Sequence, residues 1–264
     1  MSYLQLYAQG GGERLSGARA AGMGFTSVTH EDAAAVFNNI AGTANLKSIQ
    51  AFAGYEHRFS LNAFNTSGMS LALPRHWGTP AISAHRFGDD VFNIQNLGIG
   101  YAHSIDKVNL GVKINYLQYN VSEFGTGRFL VFEMGGIMEL IPEVKIGAHI
   151  YNLNQARVDE FQDERIPTIM KAGISWQADK KVIINIETLK DLDHKPVFRA
   201  GIEYQMVEHF VARTGFSTNP FINTIGVGFH RNSLFIDYAI GMHYQLGFLQ
   251  QLSLVKKFKR RHES

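Results

Sequence analysis

The sequence predicts an all-β fold, an antiparallel transmembrane β-barrel of fourteen strands. Three observations point there. From residue 49 onward the chain alternates apolar and polar residues in blocks of about ten, the pattern of strands with one lipid face and one lumenal face. The connections between blocks alternate between tight turns and longer loops. No apolar run approaches the roughly 18 residues that a helical span requires, although 45% of the chain is hydrophobic.

The bulk numbers agree. Only 18% of the 264 residues are charged, below the roughly 25% of soluble domains. Aromatics reach 12%, with 19 Phe and 10 Tyr, beside 26 Gly, which suits tight turns and interfacial aromatic girdles. The mean hydropathy of −0.10 fits strands with one polar face. A formal net charge of +2 is too small to indicate a nucleic-acid partner. The absence of cysteine removes disulfides, thiol nucleophiles and Cys-type zinc sites.

Residues 1–9, ending Leu6-Tyr7-Ala8-Gln9, read as the residual end of a signal peptide. Residues 10–48 differ from the rest: they are Gly- and Ala-rich and lack alternation. Within them 31–37 is predicted as a short helix opened by Glu31 and Asp32. A segment of this size packs into something larger, because it cannot build a core of its own. The barrel follows over 49–258, with strands expected at 49–58, 68–75, 80–87, 95–104, 108–119, 128–140, 143–153, 168–177, 181–190, 196–205, 209–217, 223–230, 233–242 and 250–258. Tight turns are expected at Asp106-Lys107, Ile141-Pro142, Asp179-Lys180, Val207-Glu208 and Arg231-Asn232. The longest loop carries the charged run 155–165, expected on the extracellular side. Residues 259–264 form a basic tail, either a solvated end or a contact for anionic lipid or a partner.

Strand faces follow from parity. Val108, Leu110, Val112 and Ile114 share one face; Asn109, Gly111, Lys113 and Asn115 share the other. With the apolar set on lipid, Lys113, Glu133, His149, Lys171, Glu187, Arg199, Glu203, Arg213 and Asp237 lie in the lumen. At the bilayer midplane each such charge would cost about 2–4 kcal/mol. Their mixed signs suit ion pairs around a packed interior better than an open pore of one sign. Two readings apply to this polar set: an ion-pair network bracing the strands, or contacts with an inner segment or a polar ligand head group. The competing architecture is a soluble β-sandwich binding protein, in which these residues face water; sandwiches use 7–9 strands, well short of the count here.

The run Ser16-Gly17-Ala18-Arg19-Ala20-Ala21-Gly22-Met23-Gly24, followed by Asp32-Ala33-Ala34-Ala35-Val36-Phe37-Asn38-Asn39-Ile40-Ala41-Gly42, resembles the opening of the PorV/PorQ outer-membrane family, related to FadL-type transporters. Similar matches occur at 167–175, 198–204, 212–216 and 237–239. The resemblance implies a barrel in the outer membrane of a Gram-negative cell, with the N-terminal segment folded into the lumen as a hatch. Where the family has Asn-Pro-Ala, this chain has Asn39-Ile40-Ala41. Loss of the proline frees the backbone φ but leaves Asn39 able to hydrogen-bond the turn.

No catalytic constellation is present. The eleven His show no metal-ligand spacing. The run 98–103 misses the last glycine of a dinucleotide motif, and no nucleophile elbow occurs. The chain is therefore read as a non-enzyme with no metal and no cofactor. Two functions follow from the resemblance. One is a membrane-anchored partner or shuttle in type IX protein secretion, contacting secretion-system subunits or exported proteins through its outer loops. The other is FadL-like passage of small hydrophobic, fatty-acid-like molecules. In that case Met23, Val36, Phe37, Asn38, Asn39 and Ala41 are the candidates along the ligand path, with core packing as the competing role.

Overall fold

A computed structural model describes residues 15–159 and 164–258. The signal-peptide-like end, the first residues of the predicted inner segment, the basic tail and part of the charged loop lie outside the described residues. Strands β1 (Gln50–Arg58), β2 (Thr66–Ala72), β3 (Thr79–Gly88), β4 (Phe92–Ile105), β5 (Val108–Val121), β6 (Gly125–Ile141) and β7 (Val144–Tyr151) run in sequence. A small hairpin follows, β8 (Arg157–Asp159) and β9 (Glu164–Arg165). The wall then resumes with β10 (Ile169–Asp179), β11 (Val182–Asp191), β12 (Val197–Val207), β13 (Phe210–Ser217), β14 (Ile222–Arg231), β15 (Leu234–His243) and β16 (Gly247–Lys257). Each wall strand pairs antiparallel with the next, β7 pairs with β10, and β1 closes on β16. Closure leaves fourteen wall strands and no sheet edge, the condition for a sheet to span hydrocarbon.

Burial shows an inside-out protein. Along β4 the outward Leu97 and Ile99 are 59% and 72% exposed, while the inward Asn96 and Ala102 are buried. Leu110, Val112, Ile114, Ile225, Val227 and Leu252 continue the exposed apolar belt around the wall. A belt of this extent far exceeds the apolar patches of soluble monomers. The sandwich reading fails on this point, because the apolar face is the exposed one and the charged face is buried. No described helix is long and apolar enough to cross a membrane; the strands do the crossing.

The expected Asp106-Lys107 turn joins β4 and β5, with Asp106 in the left-handed region (φ 53°) that Asp tolerates. Four other turns lie one residue later than the sequence suggests, at Pro142-Glu143, Lys180-Lys181, Glu208-His209 and Asn232-Ser233. In three of them the cause is visible: the registers of β6, β10 and β12 slip at 139/141, 177/179 and 205/207, adding a residue before the turn. The strand expected at 68–75 is instead Thr66–Ala72. Pro74 cannot donate to a ladder, and beyond it only an isolated bridge joins Arg75 to Gly78.

The predicted helix at 31–37 is also corrected. The segment holds α1 (Ala18–Gly22), α2 (Ala35–Asn38) and a 3₁₀ turn at Ile40–Thr43. Neither acidic residue sits in the first turn of α2. Asp32 Oδ1 accepts from Ala34 N at 2.9 Å, and its other oxygen pairs with Arg19 at 3.3 Å. Glu31 is drawn to Lys145 on the wall. Long-range charge partners thus override local helix propensity.

Candidate functional site

The segment from Leu15 to Thr43 lies inside the barrel, and the wall is carved to receive it. Facing glycines occur across four strand pairs: Gly54 with Gly68, Gly111 with Gly135, Gly147 with Gly173, and Gly201 with Gly215. Their missing side chains leave room for the segment: its backbone at Gly111, Gly147, Gly201 and Gly215, and the side chains of Leu15, Asn39 and Val28 at Gly54 and Gly68, Gly135 and Gly173. A Cβ at Gly201 would fall 2.3 Å from Met23 O, and one at Gly111 would fall 2.8 Å from Ala41 N.

The six ligand-path candidates are all in this packed layer, none more than 3% exposed. Phe37 packs with Leu15, Ala33, Ala34, Phe52 and Val255, and Val36 with Ile40, Ala72, Ala81 and Ala102. The Met23 backbone fills the Gly201–Gly215 notch. Asn38 Nδ2 donates to Ser16 O at 2.9 Å and Ala34 O at 3.1 Å. Ala41 N donates to Asn39 Oδ1 at 3.2 Å. Asn39 Nδ2 reaches three carbonyls: Val28 O at 2.7 Å, Gly136 O at 3.2 Å and Ala148 O at 3.3 Å. One amide therefore ties the segment to itself and to both β6 and β7. Asn39→Ala leaves those buried groups short of a donor, and an unmet buried partner costs about 1–3 kcal/mol. The expected result is a lowered urea midpoint with the barrel still formed, read by heat-modifiable gel mobility.

The nine lumenal residues all lie inside and fall into three groups. Lys113, Glu133 and His149 are together: Lys113 Nζ is 3.3 Å and His149 Nε2 2.9 Å from the Glu133 carboxylate. Lys113 also donates to Val36 O at 2.9 Å. Glu187 Oε2 accepts from the amides of Ser27 and Val28 at 2.7 and 2.8 Å, and Glu187 Oε1 is 3.3 Å from Arg199. Lys171 donates to Ser27 Oγ at 3.3 Å. In the third group Arg213 bridges Glu203 at 2.6 Å and Asp237 at 2.7 Å. The polar set forms ion pairs across strands and also contacts the inner segment.

The residue that sequence reasoning missed is Arg19. Its guanidinium reaches Glu203 through Nε and Nη2, each at 2.9 Å, and Asp32 through Nη1. A lone arginine in a run of Ala and Gly destined for a lumen needs a buried counter-charge, and that was the available signal. Glu31–Lys145 is a further link of this kind.

Above the packed layer, toward the long loops, the lumen changes character. Ile94, Leu117, Val131, Tyr151 and Ile166 form a buried apolar cluster, bordered by Phe87, Phe92, Tyr119 and Phe129. Ring contacts run from Phe87 to Phe92 (6.5 Å), to Tyr119 (6.4 Å) and to Phe129 (5.5 Å). Asn152 brings Ile166 into this cluster by donating to Ile166 O at 2.6 Å and accepting from Ala156 N at 2.9 Å. At the rim, hydrogen bonds from the amides of Phe92 and Val91 hold the Asp89 carboxyl below the usual carboxylate range and fix the loop beside Phe92. The sequence signal was Phe129-Leu130-Val131-Phe132, where alternation lapses and both faces are apolar. The opposite end is polar. Two cavities of about 100 and 90 Å³ lie there, both bordered by Glu31 and Lys145.

A closed fourteen-stranded barrel with an apolar exterior and a charged, packed interior defines an outer-membrane β-barrel protein. Solved structures agree in fold. The chain is similar to the CymD monoaromatic hydrocarbon channel, with TM-score 0.68 and 12% identity over 94% of this chain and 98% of that one. It is likewise similar to the toluene transporter TodX of Pseudomonas putida, with TM-score 0.68 and 11% identity over 90% and 96% of the two chains. The Acinetobacter baumannii outer membrane protein Omp33 is more distant, with TM-score 0.52 and 7% identity over 80% of this chain and 98% of that one. At these identities the likeness is one of fold. No protein-family model matches the chain, and no curated protein matches it; the PorV/PorQ resemblance thus rests on its sequence motifs alone.

Proposed function

We infer that the protein passes small hydrophobic molecules across the outer membrane and is not an enzyme. The observation that carries this reading is the apolar tier of Ile94, Leu117, Val131, Tyr151 and Ile166 inside the lumen, at the loop end of the barrel and apart from the clusters that pack the inner segment. A polar-solute porin gains nothing from such a tier, and a barrel used only to present its loops does not need it. Residues 10–48 then serve as the hatch beneath an apolar entrance, and 49–258 as the barrel. The likeness in fold to hydrocarbon channels supports the same reading.

Charge placed in the tier tests it. Val131→Asp puts a carboxylate among apolar side chains, at a desolvation cost of several kcal/mol, so entry of an apolar solute becomes unfavourable. Proteoliposomes carrying the variant are expected to take up labelled toluene or long-chain fatty acid at no more than a tenth of the wild-type rate, with normal heat-modifiable mobility. Uptake unchanged in the variant overturns the passage reading. The PorV/PorQ-type role in type IX secretion is the second reading, supported by the N-terminal motif. It predicts co-purification of secretion-system subunits with a barrel that shows no uptake.

A further inference from the structure

We propose that the molecule received by the apolar tier carries a neutral hydroxyl, as a phenol or alcohol does, and that its donor docks on the side-chain oxygens of Asn115 and Asn96. This rests on the passage reading and names its substrate class. Among the described residues, three buried polar groups without a hydrogen-bond partner lie along one arc of the wall: Thr66 Oγ1 on β2, Asn96 Oδ1 on β4 and Asn115 Oδ1 on β5. They are 1%, 2% and 0% exposed. Each stands directly across the ladder from a residue of the apolar tier or its aromatic border: Thr66 opposite Phe87, Asn96 opposite Leu117, and Asn115 opposite Val131. Among the described residues the apolar tier therefore has a floor of unpartnered side-chain oxygens, two of them amide carbonyls that can only accept.

The polarity of that floor is set by its neighbours. Asn115 Nδ2 is committed to Glu133 Oε1 and to Val131 O, so the atom left over is the carbonyl oxygen, an acceptor. Lys113, the nearby cation, is occupied by Val36 O and Glu133. A carboxylate head group would meet the Glu133 charge and two carbonyl oxygens. A bare hydrocarbon would leave the oxygens unmet. A hydroxyl donates to them while its ring or alkyl body stays among Leu117, Val131 and the bordering aromatics. Sites whose buried polar groups await a substrate hydroxyl discriminate against analogues lacking it, because those groups are then left unpaired.

The experiment uses three probes of one shape and different heads: p-cresol, toluene and p-toluate, titrated against the detergent-purified full chain by calorimetry. The expected result is p-cresol binding at least tenfold tighter than either of the others, about 1.4 kcal/mol. Asn115→Leu and Asn96→Leu should each bring p-cresol toward the toluene value while leaving toluene unchanged or tighter. Equal binding of toluene and p-cresol, or tightest binding of p-toluate, overturns the hydroxyl proposal and leaves passage of apolar molecules standing. Binding of none of the three overturns both. Should Asn115→Leu lose heat-modifiable mobility, Asn96→Leu and the wild-type series decide the matter.

Discussion

Arg213→Met is expected to destabilise the barrel by about 3–5 kcal/mol, the scale for removing one partner from a buried ion pair. The Arg213 side chain is wholly buried between Glu203 at 2.6 Å and Asp237 at 2.7 Å, on β13 between acids from β12 and β15. Methionine keeps most of the volume but leaves two carboxylates facing each other with less compensation. Glu203 retains Arg19 at 2.9 Å, and Asp237 retains only His230 at 3.1 Å among its described ion-pair partners. Adding Asp237→Asn should therefore recover more than half of the loss, because it removes the less compensated charge while the Arg19–Glu203 pair persists. Urea midpoints in vesicles, read by gel mobility, give both numbers. A shift below about 1 kcal/mol for Arg213→Met would mean that the network is hydrated and screened like a surface pair.

The parity rule placed Arg213, Glu203 and Asp237 in the lumen without any structure, and it did the same for Lys113 and Glu133. Parity works because a strand's side-chain period is 2 whatever surrounds it. It cannot name partners. Ser16 meets Gln251 across 235 positions of sequence, and β1 meets β16 only because the sheet closes. Turn positions missed by one wherever a bulge added a residue, since nothing local in Gln177-Ala178-Asp179 marks the slip. The helix expected at 31–37 fails to form for a different reason. Acidic residues ahead of an Ala run are a real start signal, but here Glu31 and Asp32 answer Lys145 and Arg19, which are remote in sequence. The apolar tier was legible in principle, as a lapse of alternation in β6. A strand apolar on both faces still reads as a strand, so the lapse alone does not mark a tier.

The inner segment is held by shape as much as by charge, and Gly201→Ala with Gly215→Ala separates the two. These glycines face each other on β12 and β13, and the backbone of Met23 and Gly24 lies in the notch between them. A methyl at 201 would stand 2.3 Å from Met23 O, and one at 215 would stand 2.4 Å from Gly24 N. The atoms met are backbone, so no side-chain rotation relieves them. Gly24 is itself pinned, with φ 66° and its own Cβ position 2.4 Å from Phe216 O, leaving the chain no shallower path. Overpacking at each site costs about 1–3 kcal/mol. At 215 the methyl would also stand 2.6 Å from Ala200 O on β12, so the strain falls mainly on the segment and partly on that strand pair. The expected outcome is an intact heat-modifiable barrel from which α1 has lifted. Trypsin should then cleave after Arg19, once its hold on Glu203 is lost, and ion conductance in planar bilayers should rise several-fold over wild type. Gly136→Ala is the matched control, because a methyl there faces outward and makes only an ordinary 3.4 Å contact with Leu110. If the double variant stays as protease-resistant and as poorly conducting as Gly136→Ala, the notch does not seat the segment and its ion pairs alone hold it.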